Sequence, residues 1–338
     1  MKNLIEVQKK IIPQAIDLME KRYAILRQIN ISQPIGRRML SSVLNLSERT
    51  TRTEIDFLKE QKFINIDVSG MTITSLGKEL LDSLELVMGE IMGISDMQTK
   101  LKDLLGIKDV VIAKRVGDDN IKSVAKSAAE YIIKNIEDKD IIAVAGGTTM
   151  REIAENIESV KSFDKVRMLP TRGSVGGDID LQANSIAAMM AKKLGSQVEF
   201  LYIPDTLDGS AREAILSVPD IKHTLDYLKD ADKIFFSIGR ADVMALRRGM
   251  SADDLDLLKR KKAVGEAFGY YFDKDGNIVL KLNTVGIDID MYKRAKDASL
   301  VFSGKEKVEA FLAMYNLNRN LNLITDEECA KELISRLS

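Results

Sequence analysis

The chain has a single cysteine, Cys329, and a single histidine, His223. One thiol excludes an internal disulfide, and one thiol with one imidazole falls short of the ligand set of a dedicated zinc site. No run approaches the ~18 to 20 uninterrupted apolar residues of a membrane span, and the opening MKNLIEVQKK carries charges where a secretion signal needs an apolar stretch. The expectation is a metal-free cytoplasmic protein that does not engage membranes. Also missing are the GK[ST] ending of a P-loop and the GxGxxG fingerprint of a dinucleotide site, so nucleotide chemistry is not indicated. There is no internal repeat and no low-complexity segment.

Net charge is nearly absent, −1 over the chain, but it is unevenly spread. Residues 1–67 hold 12 Lys/Arg against 8 Asp/Glu, leaving −5 for the remainder, so the basic end is the candidate for a polyanion partner. At 338 residues, with 45% hydrophobic and 30% charged residues, two well-cored domains are expected rather than one domain or a disordered chain.

The first part reads as a winged helix-turn-helix over residues 1–76. Apolar residues recur at helical spacing from Leu4 to Ile29, with Pro13 affecting where the regular part begins. Residues 35–46 form a second helix with Met39, Leu40 and Val43 on one face, ended by Asn45, and Ser47 caps a third helix through about Gln61. Two β-branched runs flanking Ser69-Gly70 read as a hairpin. In the third helix Ile55 and Leu58 turn inward, while Arg49, Thr50, Thr51, Arg52 and Thr53 supply the short polar and cationic side chains that reach base edges and phosphates. Arg37 and Arg38 open the preceding helix, at an end that disfavours cations; phosphate contact accounts for them. The expected partner is double-stranded operator DNA. A helical linker follows over 77–106.

From 107 to 338 short apolar strands alternate with helices, the pattern of an α/β domain with a mostly parallel sheet covered by helices on both faces. One strand runs into Gly146-Gly147-Thr148-Thr149 and then a helix, a backbone cradle suited to phosphate. A second strand runs into the loop of residues 169–177, with Arg172 beside glycines, and Gln182 and Asn184 follow it. A third strand end offers Arg240, Arg247 and Arg248; Glu266 can accept sugar hydroxyls, and Lys305 lies between a strand and a helix. Several anion-suited loops at strand ends point to a phosphorylated ligand.

The segments PIGRRMLSSVLNLSERTTRTEIDFLKEQ, AGGTTM, LPTRGSVGGDIDLQANSIA, IGRADVMALRRG, AVGEAFGYYFDKDG and SGKEKVEA together span nearly the whole chain, and by them it resembles the SorC family of bacterial sugar-responsive regulators. The resemblance implies an effector domain similar to the sugar-phosphate isomerase and deaminase fold. It further implies repression of a glycolytic operon, fructose-1,6-bisphosphate as inducer, no bound cofactor, and a dimer or tetramer. By the same resemblance Gly147, Thr148, Thr149, Arg172, Gln182, Arg247, Glu266 and Lys305 match ligand-contacting positions, with Thr148, Thr149 and Lys305 at one phosphate and Arg172 and Arg247 at the other or the sugar. The alternatives are an isomerase or deaminase using Asp178, Asp180 or Glu266 for proton transfer, a family member answering another sugar phosphate, and an activator.

Overall fold

The computed structural model describes residues 7–8, 11–91, 93–113, 120–159, 161–173, 178–204 and 209–338. They fall into two compact units, Met1–Lys100 with Ala113–Ser123, and Leu101–Ile112 with Val124–Ser338.

The first unit is built on the helices Pro13–Ser32, Arg37–Val43 and Glu48–Glu60, then the strands β1 (Ile64–Asp67) and β2 (Gly70–Ile73), then a helix Ser75–Ile91. The long first helix opens with Pro13 in its first turn, where the missing N–H costs nothing; the expected start at Leu4 lies outside the described residues. Asn45 ends the second helix at φ +50°, a conformation Asn tolerates better than most residues. Tyr23, Leu26, Ile29, Leu40, Ile55, Leu58 and Met71 form the core. Met39, expected to share the inner face of its helix, is 62% exposed; a helix of only seven residues cannot bury every apolar side chain. The hairpin turn also differs by one position. Asp67 pairs with Gly70, so the two-residue loop is Val68-Ser69, closed by the Asp67 carboxylate, which accepts hydrogen bonds from the Ser69 amide (3.1 Å) and hydroxyl (2.6 Å).

The linker read as one helical segment is two helices, Ser75–Ile91 and Ile94–Leu105. Gly93 lies between them at φ +68°, and a left-handed residue ends the helical hydrogen-bond ladder.

In the second unit seven strands form one sheet: β3 (Asp109–Ala113), β4 (Ile141–Val144), β5 (Arg167–Pro170), β6 (Gln197–Val198), β7 (Lys233–Phe236), β12 (Ala298–Val301) and β13 (Leu321–Asp326). Their order is β3-β13-β12-β7-β4-β5-β6. β4 pairs with β5 and β7, β5 with β6, and β12 with β7 and β13, all in parallel. Every residue of β7, β12 and β13 is buried, as strands covered on both faces require. The chain moves outward one way through β4, β5, β6 and the other way through β7, β12, β13. The strand order therefore reverses between β4 and β7, and a crevice opens beyond their carboxyl ends. A second sheet, not foreseen from the alternating pattern, orders β11 (Ile278–Lys281), β10 (Tyr270–Phe272), β9 (Gly265–Ala267) and β8 (Gly239–Arg240) antiparallel. β8 follows β7 directly, so this sheet forms at the crevice.

Candidate functional site

A cleft of about 960 Å³ occupies that crevice. Gly147, Thr148, Thr149, Arg172, Gln182, Arg247 and Glu266 all line it, with Arg240, Arg248 and Lys307. The 174–177 part of the second glycine loop lies outside the described residues.

The first wall is the β4 end. Gly147 is the N-cap of the helix Thr148–Asn156, at φ 106°, ψ 167°, with no side-chain cap; this is glycine territory. Its amide donates to Leu181 O at 2.8 Å, and a Cβ on Gly146 would stand 2.6 Å from the same oxygen. Gly147 thus shapes the turn and seats it against the segment entering Gln182, and its own N–H is not offered to a ligand. The first helical bond runs from the Arg151 amide to Gly147 O, so the amides of the first helical turn and the Thr148 hydroxyl are what the cradle presents.

The second wall carries Arg172, just past β5. Its backbone bridges Gly286, while the Gly173 amide donates to Val285 O (2.9 Å) and the Ile287 amide to Thr171 O (2.8 Å). A Cβ on Gly286 would meet Thr171 O at 2.2 Å, so only glycine lets the two segments approach this closely.

The third wall comes from the helix Ala241–Arg247 and the small sheet. Arg240 is held by a two-bonded pair with Asp242 (3.1 and 2.5 Å), and that bond holds the Asp242 carboxyl below its ordinary value. Glu266 on β9 is buried and accepts at Oε1 from Arg248 Nη2 (3.0 Å) and from the Gly269 amide (2.9 Å). Burial pushes the neighbouring Tyr271 phenol up to about 12.

Lys305 is exposed and does not line the cleft; Lys307 is half-buried and does. The two lysines sit in a 3-10 turn, Lys305–Lys307, where successive side chains are rotated by roughly 120°, so one spacing in sequence decides which faces inward. Burial lowers the Lys307 pKa from its ordinary value, and the Arg247 charge lowers it further against the opposing pull of Glu306. Arg247 and Lys307 both line the cleft. Arg172 lines the same cleft, and Arg248 lines it with its guanidinium bonded to Glu266. Lys305, expected beside one phosphate with Thr148 and Thr149, lies outside the cleft lining that those two threonines share. Arg248 was offered with Arg240 and Arg247 at this strand end, whereas Lys307 was missed; a KEK triplet carries no signal for which lysine turns inward.

In the first unit Ser47 Oγ accepts from the Thr50 amide at 3.1 Å, fixing the start of the helix Glu48–Glu60. Ile55 and Leu58 are buried as expected. Arg22 pairs with Glu54 at 2.8 Å and lies 3.5 Å over the Phe57 ring, holding this helix to the first. Arg37, Arg38, Arg49, Arg52 and Thr53 are exposed. Arg52 is tied only by a 3.8 Å pair to Asp56 between two exposed side chains, which contributes little. Thr51 differs from expectation: it is fully buried, its hydroxyl without a hydrogen-bond partner, because position 51 shares the inner face with Ile55 and Leu58. The wing, residues 63–77, contains no Lys or Arg, and the exposed Lys62 stands in the turn just before it.

Comparison with known proteins agrees with this layout. The sugar-binding domain family Sugar-bind matches residues 89–335, and the CggR N-terminal DNA binding domain family matches residues 18–88. A solved SorC family transcriptional regulator from Enterococcus faecalis is 32% identical, covers 71% of this chain and 99% of its own, and superposes with a TM-score of 0.65. The chain belongs to the SorC family of transcriptional regulators. Its similarity to other regulators runs nearly end to end: 38% identity to the Central glycolytic genes regulator of Bacillus subtilis (strain 168), over 99% of both chains, and 41% to that of Priestia megaterium, again over 99% of both. The full-length sorbitol operon regulator SorC of Klebsiella pneumoniae shares the fold, with a TM-score of 0.66 at 20% identity over 94% of this chain and 98% of that one. These relatives are regulators rather than enzymes, and the carboxylates weighed for proton transfer have structural partners in this SorC-family regulator. Asp178 caps the short turn Ile179–Leu181, Asp180 lies 3.5 Å from Arg151, and Glu266 is held by Arg248.

Proposed function

We propose that this regulator represses central glycolytic genes, that fructose-1,6-bisphosphate binding in the cleft lowers its affinity for operator DNA, and that it works as a homo-oligomer. The observation that carries the effector assignment is the set of cations lining one cleft, Arg172, Arg240, Arg247 and Lys307, around the buried carboxylate of Glu266, which Arg248 holds. Two phosphates separated by a hydroxyl-bearing sugar complement that arrangement, and the names of the two end-to-end relatives support the glycolytic reading.

For the ligand to act on DNA binding it must prefer one arrangement of the oligomer, since equal affinity for both shifts nothing. In this reading the helices of 75–105 carry the change between paired winged helices, whose spacing must match DNA half-sites. The test is thermal unfolding with fructose-1,6-bisphosphate, fructose-6-phosphate, glucose-6-phosphate and dihydroxyacetone phosphate. A ligand at about 100 times its Kd adds roughly 2.7 kcal/mol of stability. The bisphosphate is expected to raise Tm most, and to release operator DNA in a mobility-shift titration. A larger shift with a monophosphate would replace the effector, and no shift with any of the four would remove the sugar-phosphate assignment.

A further inference from the structure

Glu266 faces the cleft as a carboxylate whose two oxygens are not equivalent. Oε1 is saturated by the scaffold, taking the Arg248 guanidinium at 3.0 Å and the Gly269 amide at 2.9 Å. Oε2 has no partner among the described residues, and Glu266 lines the cleft. The two donors come from different elements. Arg248 is the C-cap of the helix Ala241–Arg247. Gly269 belongs to the Phe268-Gly269 turn between β9 and β10, where Ala267 pairs with Tyr270 and both turn residues have positive φ, 55° and 84°. A bulky residue at positive φ is strained, and here that backbone aims the Gly269 amide at the carboxylate.

We propose that Arg248 is a positioning residue for sugar recognition: it and the Phe268-Gly269 turn hold Oε1, leaving Oε2 as an acceptor that reads a sugar hydroxyl between the phosphates. The inference rests on the sugar-phosphate reading of the cleft. A carboxylate anchored on one oxygen cannot rotate away, so a hydroxyl that fails to reach Oε2 leaves that buried acceptor unsatisfied, the condition under which a polar site discriminates strongly. Phosphate attraction rests on the other cations, so removing Arg248 separates the reading of hydroxyls from the attraction of charge.

The experiment measures binding of fructose-1,6-bisphosphate and of hexane-1,6-diol bisphosphate, which keeps both phosphates and lacks the sugar hydroxyls, to the full-length protein by calorimetry. Wild type, Arg248→Met and Arg248→Lys are compared, with Tm of each ligand-free protein recorded. The wild type should prefer the sugar. Arg248→Met should lose roughly ten- to a hundredfold in affinity for the sugar bisphosphate, the range of a hydrogen bond to a charged group, and far less for the diol bisphosphate. Arg248→Lys, which keeps one donor for Oε1, should recover part of the preference. Equal losses for both ligands, or an unchanged preference in Arg248→Met, overturn the proposal. A wild type that binds neither probe sinks the sugar-phosphate reading itself and this inference with it.

Discussion

Gly147, Thr51 and Lys307 each answer to a different physical demand. Gly147 has open space around the position a Cβ would take, so Gly147→Ala is a conformational test and not a steric one. Its φ of 106° should make that substitution cost about 1–3 kcal/mol of stability, read as a lower denaturation midpoint with a weaker ligand response. Thr51 is the opposite case. Its buried hydroxyl has no partner, so Thr51→Val, with the same shape and no polar atom, should be neutral or stabilising and leave operator affinity unchanged; a large drop in DNA binding would return Thr51 to the reading face. Lys307 gives a pH signature. Its folded-state pKa is lowered, burial first, so the bare protein loses this ammonium earlier than an ordinary lysine as pH rises. A bound phosphate favours the ammonium and raises that pKa, so binding takes up protons in the alkaline window between the two values. Affinity should therefore fall as pH rises through that window. Calorimetry in buffers of different ionisation enthalpy measures the uptake, which Lys307→Met should abolish.

Among the elements, the segment through Gly286 works as a strap on the Arg172 loop. The 2.2 Å approach of a Cβ to Thr171 O means that Gly286→Ala must push the two segments apart. The expected result is a failed ligand response together with lower stability, whereas Arg172→Ala should lose the response and keep the fold. The helix Glu48–Glu60 divides cleanly between a packed face, Thr51, Glu54, Ile55 and Leu58, and an exposed cationic one. Because the wing has no cation, Arg52→Ala should weaken operator binding and flatten the dependence of log K on log salt by about 0.9 for each phosphate that is no longer neutralised, while the Tm shift with ligand stays at the wild-type value. A salt dependence unchanged by that substitution would place the phosphate-binding cations elsewhere.

At the scale of the whole molecule, the proposal requires that ligand and operator compete through a shared equilibrium, so each must weaken the other by the same factor. Operator DNA should therefore lower the affinity for fructose-1,6-bisphosphate as much as the sugar lowers operator affinity. Sedimentation at micromolar concentration, with and without the sugar, tests the oligomer on which this depends. A monomer that binds operator one copy at a time is incompatible with it.

The sequence by itself determined the local facts: a basic helix-turn-helix with a hairpin, alternating strands and helices, and glycines and cations clustered at strand ends. Each follows from periodicity, capping or turn chemistry within a few residues of chain. The family resemblance named seven of the residues that line the cleft, Gly147, Thr148, Thr149, Arg172, Gln182, Arg247 and Glu266. Only the tertiary structure decided that β4 and β7 flank the reversal in strand order, so that loops from residues 145–149, 171–172 and 237–248 face one cleft. It also chose Lys307 over Lys305, turned Thr51 inward and joined Arg248 to Glu266. In each case the choice is between neighbouring residues of the same chemistry, and which one faces inward depends on a rotation set by packing against elements distant in sequence, information that no local pattern contains.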